Sequence, residues 1–332
     1  MNDRPESADL PLVHRFPALA RIPRVRLTSL PTPVEPLSEA SPAGSLWIKR
    51  DDLSAESFGG NKVRALEFLL GSVRPGDTVL TVGGEGSTHV LATAYHASRL
   101  GARVHAVRWR HEMNPVALDV AERAASLCTR VTTTRTFPGT MARVLWRRAR
   151  ERVHWIPVGG STPLGTLGHV NAALEVERQI AAGEMPLPRE VIVPLGTGAT
   201  AAGLMLGFAI AGLAIVVVGA RIGPRIAVNR RRVRALARAT AALISRETGR
   251  PVATPGPDAF RVVHDVYGGA YGRALPAGDR AATSLLHWRG VALDATYSAK
   301  AFAAALALHP TTGAPLLFWL TFDGRMLAPV AR

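Results

Sequence analysis

Residues 191 to 220 carry no charged side chain, and a stretch of that length either crosses a membrane or lies buried on every side of a fold. Pro194, the turn Gly196-Thr197-Gly198 and glycines 203, 207 and 212 divide it. The division reads as a strand EVIVPL, a glycine turn, a helix and a second strand AIVVVGAR, a buried β-α-β unit. No membrane span is expected. The same order recurs earlier: SLWIKRDDL reads as a strand, NKVRALEFLLG as a helix, DTVLTVGG as a strand, STHVLATAYHASRLG as a helix and ARVHAVRW as a strand. Alternation of this kind makes an α/β fold of parallel sheets flanked by helical crossovers. At 332 residues and 47% hydrophobic, the chain suits two lobes packed about one cleft.

The opening MNDRPESADL is polar and acidic, whereas a secretion signal needs a basic start and an apolar run, so a cytoplasmic protein is expected. Cys128 stands alone and the ten histidines show no metal-ligand spacing, which argues against disulfides and metals. The formal net charge of +15 raises nucleic-acid binding. Six arginines between Arg225 and Arg238 fall on an expected helix. That run lacks interleaved aromatics for base stacking, so it reads as a solvated basic face, and nucleic acid is not the expected partner.

Among 40 basic residues only Lys49, Lys62 and Lys300 are lysines. Arginine stays protonated and cannot condense with an aldehyde, whereas a lysine amine can deprotonate and form an imine. Each retained lysine is a candidate for covalent chemistry. Two glycine turns add anion sites. GTGATAAG (196 to 203) follows a strand and opens a helix, where free backbone N–H groups and the helix dipole cradle a phosphate. The same letters, with Arg221 ending the next strand, also fit an NADP-binding Rossmann unit. GGEGSTH (83 to 89) sets Ser87 and Thr88 at a helix start, either as caps or as hydroxyls at the mouth of a cleft.

The segment IKRDDL with FGGNKVRALEFL (58 to 69) resembles the lysine-bearing signature of the 1-aminocyclopropane-1-carboxylate deaminase and D-cysteine desulfhydrase family, within the tryptophan-synthase-β-like, fold type II enzymes of pyridoxal phosphate. PTPVEPL (31 to 37), VGGEGSTHVLATAYHA (82 to 97), GGSTPLGTLGHVNAALE (159 to 175), GTGATAAGL (196 to 204), GGAYGRALP (268 to 276) and LDATYSAK (293 to 300) come in the family's order, so the resemblance runs over residues 20 to 325. It implies a larger cofactor-binding lobe of residues 1–64 and 171–332, a smaller lobe of residues 65–170, and the cofactor between them. A homodimer is expected.

Carried over residue by residue, the resemblance implies that Lys62 holds pyridoxal phosphate as a Schiff base and that Asn61 helps seat it. Gly196, Thr197, Gly198, Ala199 and Thr200 form the phosphate loop. Ser87 approaches the substrate carboxylate and reacting carbons, and Tyr271 and Tyr297 line the substrate pocket. Thr88 stands where the family has an asparagine beside the ring oxygen, and Ala65 where it has a further lysine. Ser298 replaces a glutamate that the deaminases place at the pyridine nitrogen, and Thr321, in the altered turn LTFDG, also stands toward that nitrogen. Neutral hydroxyls there favour prompt β-elimination from a small amino acid, giving a keto acid and ammonia, over opening of a cyclopropane. An NADP-binding reductase and a non-catalytic family member with a basic docking face are the alternatives.

Overall fold

A computed structural model describes residues 10–41 and 45–327. Ten strands form two sheets. The larger contains β1 (Val34–Pro36), β2 (Leu46–Arg50), β7 (Glu190–Leu195), β8 (Val216–Arg221), β9 (Phe260–Val263) and β10 (Leu316–Leu320), in the order β1-β2-β10-β7-β8-β9. The smaller contains β3 (Thr78–Gly84), β4 (Arg103–Trp109), β5 (Arg130–Thr134) and β6 (His154–Ile156), in the order β5-β4-β3-β6. All pairings are parallel except that of β1 with β2. The exception, β1, lies at the edge of the larger sheet, where an antiparallel neighbour needs no crossover.

The helices are α1 (Pro11–Arg15), α2 (Asn61–Leu69), α3 (Thr88–Arg99), α4 (Pro115–Leu127), α5 (Phe137–Arg150), α6 (Pro163–Ala181), α7 (Ala199–Ala211), α8 (Arg230–Thr248), α9 (Pro276–Arg289) and α10 (Ser298–Thr312). The uncharged stretch is β7, α7 and β8. Helix α7 is apolar all round, which a helix tolerates only when covered on every side, and it packs on α6 beneath the larger sheet. Gly203 and Gly207 lie inside this helix. A Cβ on Gly203 would lie 2.3 Å from Cβ of His169, and one on Gly207 2.5 Å from Cβ of Ala173, so both are contact points where α7 and α6 press together. Only Gly212, with φ 72°, ends the helix. Full burial of each Val, Leu or Ile in this core contributes about 1.5–3 kcal/mol.

The arginine run differs from expectation. Its helix, α8, begins at Arg230 under the Asn229 cap, whose side chain accepts from Arg232 N at 3.1 Å, and Arg225 lies in the preceding turn. Among the described residues no helix is long and apolar enough to cross a membrane, and no cluster of potential metal ligands occurs.

Candidate active site

Strand β2 runs toward the lysine loop, and a buried ionic cluster fixes the chain where it leaves that strand. Arg64, on the first turn of α2, donates from Nε and Nη2 to Asp51 at 3.0 and 2.6 Å and from Nη1 to Glu175 Oε2 at 3.0 Å. Lys49 donates to Thr32 O, Glu175 Oε1 and Gln179 Oε1, each at 2.6 Å. Trp319 Nε1 donates to Asp51 at 2.7 Å. Two cations face two anions here and each is multiply hydrogen-bonded, the condition under which buried charge is tolerable. The paired cations hold Glu175 at about 2, against the desolvation that would raise it.

The loop before α2 is clamped by the turn at 320–324. Gly60 has φ 101° and a Cβ there would lie 2.5 Å from Thr321 O. Asn61 N donates to Thr321 O at 3.1 Å and Gly59 N to Asp323 Oδ2 at 3.0 Å. Phe322 packs with Val90 and Leu91. Phe322 and Asp323 of the LTFDG turn therefore brace the lysine loop, and Thr321 meets it through its carbonyl.

Lys62, the second residue of α2, is half-buried and makes no hydrogen bond among the described residues. Desolvation lowers its pKa to about 8, within reach of a neutral amine. Two buried histidines feel its charge. Desolvation first, then Lys62, lowers His89 to about 3, and the same causes with Arg64 hold His169 well below its ordinary value. His169 Nδ1 has no partner, and His89 Nε2 lies 3.3 Å from Thr81 Oγ1. Sequence reasoning misses both, since single histidines in apolar helices carry no spacing signal.

The anion loop opens α7. Gly198 caps the helix with φ 97° and offers no side chain to its first N–H groups, which are left for a ligand. Thr200 Oγ1 accepts from Asn61 Nδ2 at 2.7 Å, and Thr197 Oγ1 accepts from Ser161 Oγ at 2.6 Å. A Cβ on Gly196 would lie 4.0 Å from the ring of Tyr297. Tyr297 and Tyr271 are hydrogen-bonded through their hydroxyls, and burial pushes Tyr271 up to about 12. Ala199 is buried as the first residue of α7.

Ser87 occupies the cap position of α3, yet its hydroxyl makes no capping bond. Thr88 is the first residue of that helix and stays half-buried. Ser298 begins α10, fully buried, and Asp294 accepts from the N–H groups of Tyr297 and Ser298 at 2.7 and 3.0 Å. The structure thus joins Asn61 to Thr200 and Tyr297 to both Tyr271 and Gly196. Among the described residues no hydrogen bond links Thr88, Ser298 or the Thr321 hydroxyl to the others.

A desolvated amine without partners beside a glycine-capped helix start is the equipment of an enzyme that binds a phosphorylated aldehyde as an imine. The chain belongs to the family of pyridoxal-phosphate dependent enzymes, which matches residues 25–321. It is 36% identical to the nocardicin C-9' epimerase of Nocardia uniformis subsp. tsuyamanensis over 92% of this chain and 94% of that protein. It is 32% identical to the D-cysteine desulfhydrase of Salmonella typhi over 93% and 98%. The crystal structure of an ACC deaminase homologue covers 93% of this chain and 94% of its own, with 30% identity and a TM-score of 0.77. Threonine deaminase isoform 2 of Solanum lycopersicum, 15% identical with a TM-score of 0.62 over 95% and 83%, shares the fold.

The residues present fit this cofactor: Lys62 offers a desolvated amine, and the start of α7 offers N–H groups that no side chain caps. The NADP alternative falls. Arg221, its proposed phosphate partner, donates instead to Gly223 O at 2.6 Å and His264 Nδ1 at 2.9 Å and lies over the Tyr267 ring at 4.2 Å.

Proposed function

We propose that this enzyme removes the Cα proton of a small D-amino acid and expels a leaving group from Cβ, ending in a keto acid and ammonia. The observation that carries the reading is the Lys62 amine, partnerless among the described residues and lowered to about 8 by desolvation, which suits a base working near neutrality. Bound pyridoxal phosphate supplies the electron sink for the pair left at Cα. Gly196 to Thr200 would hold its phosphate through backbone N–H groups, with Asn61 fixing Thr200, and Thr88 would serve the ring. Ser87 receives the substrate carboxylate, and Tyr271 and Tyr297 line the pocket. Ser298 and Thr321 would offer the pyridine nitrogen neutral hydroxyls, which would leave it unprotonated and support elimination. The D-cysteine desulfhydrase relative supports the substrate class.

A second reading, epimerisation at Cα, draws on the 36% identical epimerase; it shares the deprotonation and lacks the departing group. Holoenzyme is to be given D-cysteine, 1-aminocyclopropane-1-carboxylate and, in heavy water, D-alanine. Keto acid from D-cysteine at higher kcat/KM than from the cyclopropane is expected. Higher kcat/KM for the cyclopropane overturns elimination as the main activity, and deuterated L-alanine without keto acid from D-cysteine selects epimerisation. We further propose a cytoplasmic homodimer with the cofactor between lobes of residues 1–64 with 171–332 and 65–170; light scattering at a single-chain mass would remove the dimer.

A further inference from the structure

The connection from β4 to α4 carries a histidine that the proposed reaction leaves unused. His111 Nδ1 lies 2.7 Å from Glu112 O. A carbonyl only accepts, so Nδ1 holds the proton of the neutral ring and Nε2 holds its lone pair. That Nε2 is buried and has no partner among the described residues, an arrangement that native interiors rarely leave unexplained.

Its position indicates what it meets. A Cβ on Gly84 would lie 2.8 Å from Nε2, so the imidazole covers the turn leading to Ser87. The ring also meets Tyr271 edge-on, centroids 4.9 Å apart at 76°, and Tyr271 is bonded to Tyr297. The segment is strapped in place: Asn114 Nδ2 donates to Gly272 O at 3.0 Å and to Thr296 Oγ1 at 3.3 Å. The imidazole therefore packs on the turn that leads to Ser87 and against one of the two tyrosines assigned to the pocket lining.

We propose that His111 reads the substituent on the substrate's β-carbon, accepting at Nε2 a hydrogen bond from a thiol or hydroxyl proton. This rests on the lyase reading of the same site. A buried acceptor discriminates strongly, since a substrate that cannot donate leaves it unsatisfied. Thiol and hydroxyl substituents qualify; chloride and a ring methylene do not.

The test compares holoenzyme with His111→Phe and His111→Gln, each checked for its visible cofactor band. The ratio of kcat/KM for D-cysteine to that for β-chloro-D-alanine is expected to fall about tenfold or more in His111→Phe and to recover in part in His111→Gln, whose amide oxygen also accepts. An unchanged ratio overturns the proposal. If wild type turns over neither substrate the lyase reading fails, and the histidine is judged from binding alone. The preference for D-serine over D-alanine, read from the shift of the visible band, must then drop in His111→Phe, and its persistence refutes the role.

Discussion

Lys49 and Lys62 stand on either side of one loop, and their surroundings treat the same side chain in opposite ways. Lys49 is wholly buried and gives its three protons to three oxygens at 2.6 Å. Lys62 gives none to the described residues. Desolvation lowers both, but at Lys49 the Glu175 carboxylate opposes it, while at Lys62 nothing does. The difference teaches that burial alone does not make an amine reactive: burial with saturated donors makes a fixed cation, and burial without them makes a base.

The hardest test of that contrast removes the amine. Lys62→Ala is expected to lose the visible cofactor band and at least about 10³-fold of turnover, since positioned proton transfer alone contributes roughly 10²–10⁴-fold, while keeping its fold. A Lys62→Ala protein that retains the band, with Lys49→Ala or Lys300→Ala losing it, would reverse the assignment. Arg64→Met probes the other region. It leaves Asp51 and Glu175 without their shared partner, so urea unfolding should show a loss of about 3–5 kcal/mol; a loss under about 1 kcal/mol, the worth of an exposed pair, would mean that the cluster does not anchor the loop. The smallest effect is in pH. Between about 8 and the ordinary 10.5 the unfolded chain holds a proton that folded Lys62 has released, so stability of the cofactor-free protein rises with pH across that window. Lys62→Met should be more stable than wild type at neutral pH by a margin that shrinks toward a pH of about 10, where the unfolded amine also loses its proton. Taking this difference between proteins also removes the similar contribution of Lys300, itself near 8. A margin constant with pH would mean that Lys62 is not desolvated.

The regions differ again in how far the sequence discloses them. The β7-α7-β8 unit is readable because its signals are local: apolar runs, a glycine turn and a helix in one stretch. The lysine loop is readable for the same reason. The ion cluster is not, because Thr32, Asp51, Arg64 and Glu175 are distant in sequence and meet only after folding. The same holds for His169 beside Lys62 and for Asp323 beneath Gly59. Ser87 is ambiguous between cap and site in the sequence; it takes the cap position of α3, and its hydroxyl makes no cap bond there. The packing role of glycines 203 and 207 is not legible either, because a packing glycine looks like any other until the opposing helix is known.

Lys49 and Lys300 are fully buried and Lys62 is half-buried, so no lysine side chain lies openly on this protein. An aldehyde in solution condenses with whichever neutral amine it reaches first, and each surface lysine on an ordinary protein is a decoy. Here the guanidinium groups that replace them are inert to carbonyls. Titration with pyridoxal phosphate should therefore saturate one side-chain amine per chain, and reactive sugars or amine-directed labels should find almost nothing on the remaining surface to modify.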